Sequence, residues 1–226
     1  MKRIAYFLTM ALMLPLFAAC SDDTEEVLEP VETRTSEQQE EANYYWSGNK
    51  KMYFKYLEEK TFIYFHSSNK ETVLEKLENR GIKLAREDTP TLMSPNPDMY
   101  TNKGENFEFL FECMWTEVYA NYKDVIDIPE ILDACSGIYL ENWGVCSGTS
   151  VIYVYTTALS TMQTIAEEYN VHIFGTESYF GISYLICDKN SKGNALEIAK
   201  DISEKRIAEA EPAMAGTAKT CEGTSY

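Results

Sequence analysis

The chain has 226 residues and carries 36 acidic against 20 basic side chains, a formal net charge of −16. This surplus disfavours nucleic acids and anionic membrane surfaces as partners, because both are bound through basic patches. Hydrophobic residues make up 45% of the chain, which is ordinary for a folded protein and sufficient for a sizeable core. The length fits one large domain or two small ones.

Residues 1–19 have the pattern of an export signal. Lys2 and Arg3 precede the apolar stretch 4–17, which is too short to predict a membrane span. The stretch runs into Leu16-Phe17-Ala18-Ala19-Cys20, which resembles a bacterial lipobox with phenylalanine in place of the more usual leucine. The resemblance implies cleavage before Cys20 and a diacylglycerol group on its sulfur. The alternative is an ordinary signal peptide with an incidental cysteine near its cleavage site.

Residues 20–43 are predicted to form a disordered acidic tether. They contain nine acidic residues, one arginine and no aromatic residue, a composition that cannot bury a core. The run Ser21-Asp22-Asp23-Thr24-Glu25-Glu26 resembles the signal that sends lipoproteins to the outer cell surface in one phylum of Gram-negative anaerobes. We therefore expect an outer-membrane lipoprotein of a Gram-negative bacterium that is held in the membrane by lipid on Cys20 and is exposed on the cell surface, with an orientation towards the periplasm as the alternative.

Residues 44–146 are predicted to form an N-terminal α+β half. Two aromatic runs flank Ser47-Gly48-Asn49-Lys50, and glycine with asparagine in that position predicts a hairpin. The β-branched and aromatic run Thr61–His66 predicts a strand. Ser68-Asn69-Lys70-Glu71 has the spacing of a capping box, so a helix is predicted from Ser68 to just before Gly81, with Val73, Leu74 and Leu77 on one face. The further predicted elements are a strand at 82–85, a loop at 87–105, a strand at 107–115, a helix at 128–135 and a strand at 137–143.

Residues 147–214 are predicted to form a second half in the order β-α-β-β-α-β, followed by a flexible tail at 215–226. The predicted strands are 151–155, 171–174, 179–187 and 207–210. Two helices are predicted among them, the second beginning near Asn194. Each has one apolar face, formed in the first by Leu159, Met162, Ile165, Ala166 and Tyr169 and in the second by Ala195, Leu196, Ile198, Ala199 and Ile202. This order is that of the split β-α-β, or ferredoxin-like, plait: an antiparallel sheet with two helices on one face. The predicted fold class is therefore α+β.

The two halves show a weak similarity at an offset of 89 residues. Residues 62–65 then coincide with residues 151–154, and Gly81 coincides with Asn170, the two residue types best suited to end a helix. A structural repeat and a coincidence of two β-α-β units both remain open.

The sheet predicted in the second half has two apolar faces. A strand covered on one face alternates apolar and polar residues, but residues 151–155 and 184–187 do not alternate. Either the N-terminal half covers the second face, or that face is a docking surface for another protein.

The aromatic hairpin, the long β-α segment and the run GISYLICDKNSKGNALEIAKDISE together resemble the N-terminal propeptide of surface subtilisin-like serine proteases. The match extends over residues 44–214 and is strongest after residue 150. Its most specific run is 188–197, and residues 208–212 match the last propeptide strand. In such proteases a catalytic domain follows the propeptide, whereas this chain stops at Tyr226.

The resemblance implies a protein that inhibits a subtilisin-like serine protease or assists its folding. Such propeptides dock an open sheet face on two protease helices and pass the segment after the last strand through the active site. In this chain that segment is 211–216. The partner-binding residues implied by the resemblance are Glu209, Glu211, Pro212, Ala213 and Met214. Glu209 or Glu211 would cap the N-termini of the protease helices, where unpaired N–H groups favour an anion.

Two other functions are compatible with the same sequence. The lipoprotein could use this fold as a general protein-binding or adhesion module. It could also be the remnant of a truncated protease precursor, in which case a catalytic reading frame would follow in the genome.

No catalytic, metal, cofactor or small-molecule site is predicted, and we expect no enzyme activity. Gly148-Thr149-Ser150 is similar to the sequence around a subtilisin nucleophile, but Ser150 precedes a predicted strand and is interpreted as a loop residue. His66 and His172 both lie in predicted strands, outside the glycine-rich setting of a catalytic base.

Besides Cys20 the chain has five cysteines: Cys113, Cys135, Cys146, Cys187 and Cys221. An odd number in an exported protein leaves at least one thiol free or paired with another molecule. A Cys135–Cys146 bridge is one pairing that the sequence allows, but spacing alone does not determine the connectivity.

Overall fold

The structure is a computed structural model that describes residues 43–85, 96–141 and 144–216. These described residues belong to one compact unit. The predicted signal peptide, Cys20, the tether up to residue 42 and the tail from residue 217 with Cys221 lie outside the described residues. So does the first part of the predicted loop at 87–105, as far as residue 95.

The described elements confirm a mixed α+β fold. The N-terminal half contains β1 (Tyr44–Ser47), β2 (Lys50–His66), α1 (Lys70–Asn79), β3 (Lys83–Leu84), β4 (Tyr100–Thr101), α2 (Phe107–Phe111), β5 (Cys113–Tyr119) and β6 (Ile131–Leu140). The C-terminal half contains β7 (Gly144–Val154), α3 (Leu159–Tyr169), β8 (His172–Glu177), β9 (Ile182–Ile186), α4 (Ala195–Glu204) and β10 (Ala210–Gly216). Among the described residues, no helix is both long and apolar enough to cross a bilayer.

The strands form an antiparallel sheet in the order β3-β5-β2-β6-β7-β9-β8-β4. Outside this path, β1 pairs with β2 and β10 pairs with β7. Within the C-terminal half the order is therefore β10-β7-β9-β8, and α3 connects the parallel strands β7 and β8 across β9. The N-terminal half has the equivalent order β6-β2-β5-β3. The two halves thus share one strand arrangement, as the weak sequence repeat suggested.

Each half covers the outer face of its own strands. In the C-terminal half, Ile152 and Leu185 pack with Ile165 and Ile198 from α3 and α4. In the N-terminal half, Ile63, Phe65 and neighbouring residues pack against α1. These two apolar clusters confirm the amphipathic faces predicted for the helices.

The inner faces of the two halves pack against each other. Phe62 and Trp115 from the N-terminal half share one buried cluster with Val151, Phe174 and Ile186 from the C-terminal half. Strand residues alternate between faces, so Val151 enters this central cluster while Ile152 enters the outer one. The N-terminal half therefore covers the second apolar face of the C-terminal sheet, which answers the question left open by the sequence.

Local signals account for the elements that were predicted well. Gly48 has φ +56° in the turn between β1 and β2, and Gly81 has φ +71° just after α1. Asn170 ends α3 with φ +53°, the left-handed conformation that asparagine tolerates. The predicted start of α4 at Asn194 is confirmed by a complete capping box with Glu197.

Three predictions in the N-terminal half were wrong. Residues 107–115 are not one strand, because α2 occupies 107–111 and leaves Phe109 47% exposed, while Phe107 and Leu110 are buried. Residues 128–135 do not form a helix, because Ile131–Leu140 pairs with β2 as strand β6. The capping box expected at Ser68 does not form, and α1 begins after Asn69 without a side-chain cap.

The cap of α4 gives a first testable expectation. Asn194→Ala should lower the free energy of unfolding by about 1 kcal/mol. The reason is that Asn194 Oδ1 accepts from the Glu197 N–H at 3.0 Å, and Glu197 Oε2 accepts from the Asn194 N–H at 3.1 Å. Asn69→Ala is the matched control, since Asn69 holds the same position on α1 without that bond. Urea unfolding of both variants would contradict this account if the two losses were equal.

Candidate functional site

The segment expected to enter a partner's active site is part of the sheet. The last strand is Ala210–Gly216 and not 207–210, so Glu211, Pro212, Ala213 and Met214 all lie within β10. Their register opposite β7 includes Glu211 with Tyr153, Pro212 with Ile152 and Met214 with Gly148. A bulge at Ala213 interrupts the register next to Pro212, which has no N–H to donate.

Burial explains why this segment does not extend freely from the sheet. Pro212 and Ala213 are buried, and Ala213 belongs to the central cluster between the halves. Releasing the segment would expose these side chains and break its pairing with β7. The free, cleft-filling extension suggested by the resemblance is therefore not what the structure shows.

The two candidate carboxylates lie beside the chain's own N-terminal hairpin. Glu211 Oε1 accepts a hydrogen bond of 2.6 Å from the Gly48 N–H, and its other oxygen lies 3.5 Å from Ser47 Oγ. Glu209 is exposed just before β10 and approaches Gly48, where an added Cβ would lie 3.9 Å from its Oε1. Glu211 thus stabilises the turn of this chain, and Glu209 is the one predicted carboxylate that faces solvent.

Ser150 is not a loop residue. It lies inside β7, is buried, and donates a hydrogen bond to the buried carboxylate of Asp133. Cys135 Sγ lies 3.7 Å from Asp133 Oδ2 and 3.7 Å from the Thr149 carbonyl oxygen. Burial raises the pKa of Asp133 to about 6. The Asp133 carboxylate is buried, so it is not accessible to a substrate.

His66, at the end of β2, caps the turn that leads into α1. Its Nδ1 lies 2.8 Å from Ser68 Oγ and accepts from the Ser68 N–H at 3.2 Å, while Nε2 lies 3.3 Å from Glu112 Oε2. The contacts from Ser68 to His66 and from His66 to Glu112 resemble the serine, histidine and carboxylate of a catalytic triad. However, Asn96 and Asn121 accept N–H groups two residues later in the same way at their own short turns. The contact is therefore accounted for as a cap.

His172, at the start of β8, has both ring nitrogens engaged. Nε2 lies 3.0 Å from Asp188 Oδ2, and Nδ1 lies 3.3 Å from Asn106 Nδ2. Because the Asn106 amide nitrogen donates to Nδ1, Nε2 is the ring nitrogen that donates to Asp188. Clefts adjoin this ring near α3 and near Phe109, but neither nitrogen is free to act on a ligand there.

The described cysteines form no disulfide. Cys113, Cys135, Cys146 and Cys187 are buried free thiols. Cys146 packs with Tyr45 and Phe54 under the hairpin, whereas Cys135 contacts Asp133 and Thr149, so the Cys135–Cys146 bridge is not formed. No cluster of His, Cys, Asp and Glu suited to a metal ion is found in the described parts of the chain.

Among the described residues, the most exposed aromatic side chains lie at the turn between β8 and β9, a site that the sequence did not predict. We call residues 178–181, Ser-Tyr-Phe-Gly, the aromatic tip. Tyr179 is 88% exposed and Phe180 is 60% exposed. The prediction of a strand at 179–187 included them, although β9 begins at Ile182. Gly181, with φ +69°, was the signal that a turn stood there.

Comparison of the chain with protein-family models, with curated proteins and with solved structures found no match.

Proposed function

We propose that the chain is a non-catalytic outer-membrane lipoprotein that binds a subtilisin-like serine protease on the cell surface and inhibits it or assists its folding. The observation that carries the proposal is the strand order β10-β7-β9-β8 with α3 and α4 packed on one face. We interpret this as the split β-α-β, ferredoxin-like plait that the resemblance to protease propeptides implies.

The packing limits how such a protein could bind. Its inner sheet face is filled by Phe62, Trp115 and their neighbours, and residues 211–216 are paired with β7. A protease would therefore have to contact a surface other than those two. This difference from the propeptides favours a second candidate function, a surface module that uses the same fold to bind an unrelated protein.

An inhibition assay tests the first candidate. The full-length chain should slow peptide hydrolysis by a purified subtilisin-type serine protease in a saturable manner. A trypsin-type serine protease is the control, because it has the same catalytic groups on an unrelated fold. If neither the activity nor the refolding yield of the subtilisin-type enzyme changes, the protease-binding proposal fails and the second candidate remains.

Lipid attachment has its own test. Cells that express the chain and are grown with radiolabelled palmitate should label the wild-type protein, and Cys20→Ser should remove all of the label, because the acyl chains depend on that sulfur. Cys221→Ser is the matched control and should leave labelling unchanged. Equal labelling of the wild type and Cys20→Ser would contradict the lipoprotein proposal.

A further inference from the structure

We propose that the aromatic tip, residues 178–181, is the surface that contacts the partner, by placing Tyr179 and Phe180 in a concave apolar cleft of the protease. The inference rests on the proposed function, because it names the contact surface of the same complex. The aromatic tip takes the place of residues 211–216 as the proposed contact surface, because those residues are paired with β7 of the same chain.

The aromatic tip is exposed to solvent. Tyr179 and Phe180 are adjacent in sequence and the two most exposed large hydrophobic side chains of the described residues. The next most exposed, Tyr53 and Tyr119, are 58% and 53% exposed and lie on different strands. Isolated exposed aromatics are common on protein surfaces, whereas two together on a projecting turn are typical of contact sites.

The backbone of the aromatic tip is fixed by hydrogen bonds within the turn. The carbonyl oxygen of Glu177 accepts from the Phe180 N–H at 3.2 Å and from the Gly181 N–H at 3.0 Å, which closes the turn. The two aromatic rings meet edge to face with their centroids 4.9 Å apart. A preorganised turn loses little conformational entropy on binding, so these side chains are presented ready for contact.

The base of the tip is fixed by side chains as well. Tyr184 donates a hydrogen bond of 2.6 Å to Glu177 Oε2, which holds that buried carboxylate inside the stem. On the neighbouring strand β4, Thr101 Oγ1 lies 2.8 Å from Ser178 Oγ and 3.2 Å from the Thr176 carbonyl oxygen. The tip is thus attached to both β9 and β4.

The charge of the hairpin around the aromatic tip favours a protein over a lipid surface as the partner. The hairpin segment 171–188 contains no lysine or arginine, and its carboxylates are Glu177 and Asp188. Segments that bind anionic bilayers carry basic residues next to their aromatic residues, and the chain as a whole has a net charge of −16. A convex aromatic turn without cations fits a concave apolar cleft in a protein.

Binding measurements on the full-length chain test this inference. The probe is a purified subtilisin-type protease whose active-site serine has been blocked, so that it binds without cutting. Tyr179→Ser/Phe180→Ser should weaken binding at least about 30-fold, the loss expected for a hot spot at an interface. The matched control is Tyr53→Ser/Tyr119→Ser, which replaces two exposed tyrosines elsewhere and should change the affinity less than about threefold.

The outcomes separate the two proposals. If the wild type binds the protease and the tip variant binds it equally well, the tip is not the contact surface and this inference is overturned, while the proposed function stands. If the wild type does not bind the protease, the proposed partner and the inference both fail. A separate flotation experiment with vesicles of phosphatidylcholine and phosphatidylglycerol tests whether the tip binds a lipid surface. Tip-dependent flotation would assign the tip to a membrane and would also overturn the inference.

Discussion

Phe174→Ala is expected to lower the free energy of unfolding by about 3–5 kcal/mol. Phe174 is fully buried between the two halves, and its ring centroid lies 4.7 Å from that of Phe107 and 5.0 Å from that of Tyr100. Alanine would leave a cavity in the aromatic cluster that joins the halves, because close-packed neighbours relax only in part. Urea unfolding followed by circular dichroism measures the change.

Phe109→Ala is the control for this effect. Phe109 carries the same side chain on α2, but it is 47% exposed and stacks on His66 at the surface. Its loss should cost less than about 1.5 kcal/mol, because little apolar area returns to water. If the two variants lose similar stability, the central cluster does not hold the halves together as described.

Asp133→Asn is expected to stabilise the protein at pH 7 by up to about 3 kcal/mol. Burial raises the pKa of Asp133 from 3.8 to about 6, so above pH 6 the folded state holds an unfavourable buried charge. The contribution of Asp133 to stability is therefore fully present below about pH 4 and is lost as pH rises through 6. Asparagine removes the charge and keeps an oxygen that can accept from Ser150.

The pH dependence of the stability of Asp133→Asn tests whether the gain comes from removing the buried charge. Its advantage over the wild type should be largest at pH 7 and should vanish near pH 4, where Asp133 is protonated in the wild type. Asp127→Asn is the control. The pKa of Asp127 is lowered by its exposed partner Arg80, whereas the pKa of Asp133 is raised, so the charge on Asp127 is favourable in the folded state. That variant should gain no stability at pH 7. An advantage of Asp133→Asn that did not change with pH would contradict the account.

Much of the fold could be predicted because its signals are local. Gly48 in the first hairpin, Asn170 at the end of α3 and Asn194 at the start of α4 each specify a backbone conformation by their own chemistry. The apolar faces of α3 and α4 follow the helical period and were correct for the same reason.

The errors lie where long-range pairing decides the structure. Residues 131–135 carry a helix signal from Pro129, but β2 is available to pair with them, and they become strand β6. Residues 211–216 contain a proline and no β-branched residue, so nothing local predicts that they extend the last strand. Their pairing with β7 depends on residues about 60 positions earlier in the chain.

The candidate site was missed for a related reason. Tyr179 and Phe180 are residue types that favour strands, and the apolar run that follows them favours one long strand. Gly181 indicated a turn, but one glycine in a strand pattern also fits a bulge. The exposure of the two rings depends on β4 and β9 fixing the stem of the hairpin, and this could not be read from the sequence.

Hydroxyl-radical footprinting of the full-length chain, read by mass spectrometry, tests the central structural claim most directly. The N-terminal half covers the inner sheet face, so Tyr179 and Phe180 at the aromatic tip are the most exposed large hydrophobic side chains of the described residues. Tyr179 and Phe180 should be oxidised rapidly, while Phe62 and Phe174, both buried, should stay unmodified until the protein unfolds. Oxidation of Phe174 as fast as that of Phe180 in the native protein would show an open inner face and contradict the account.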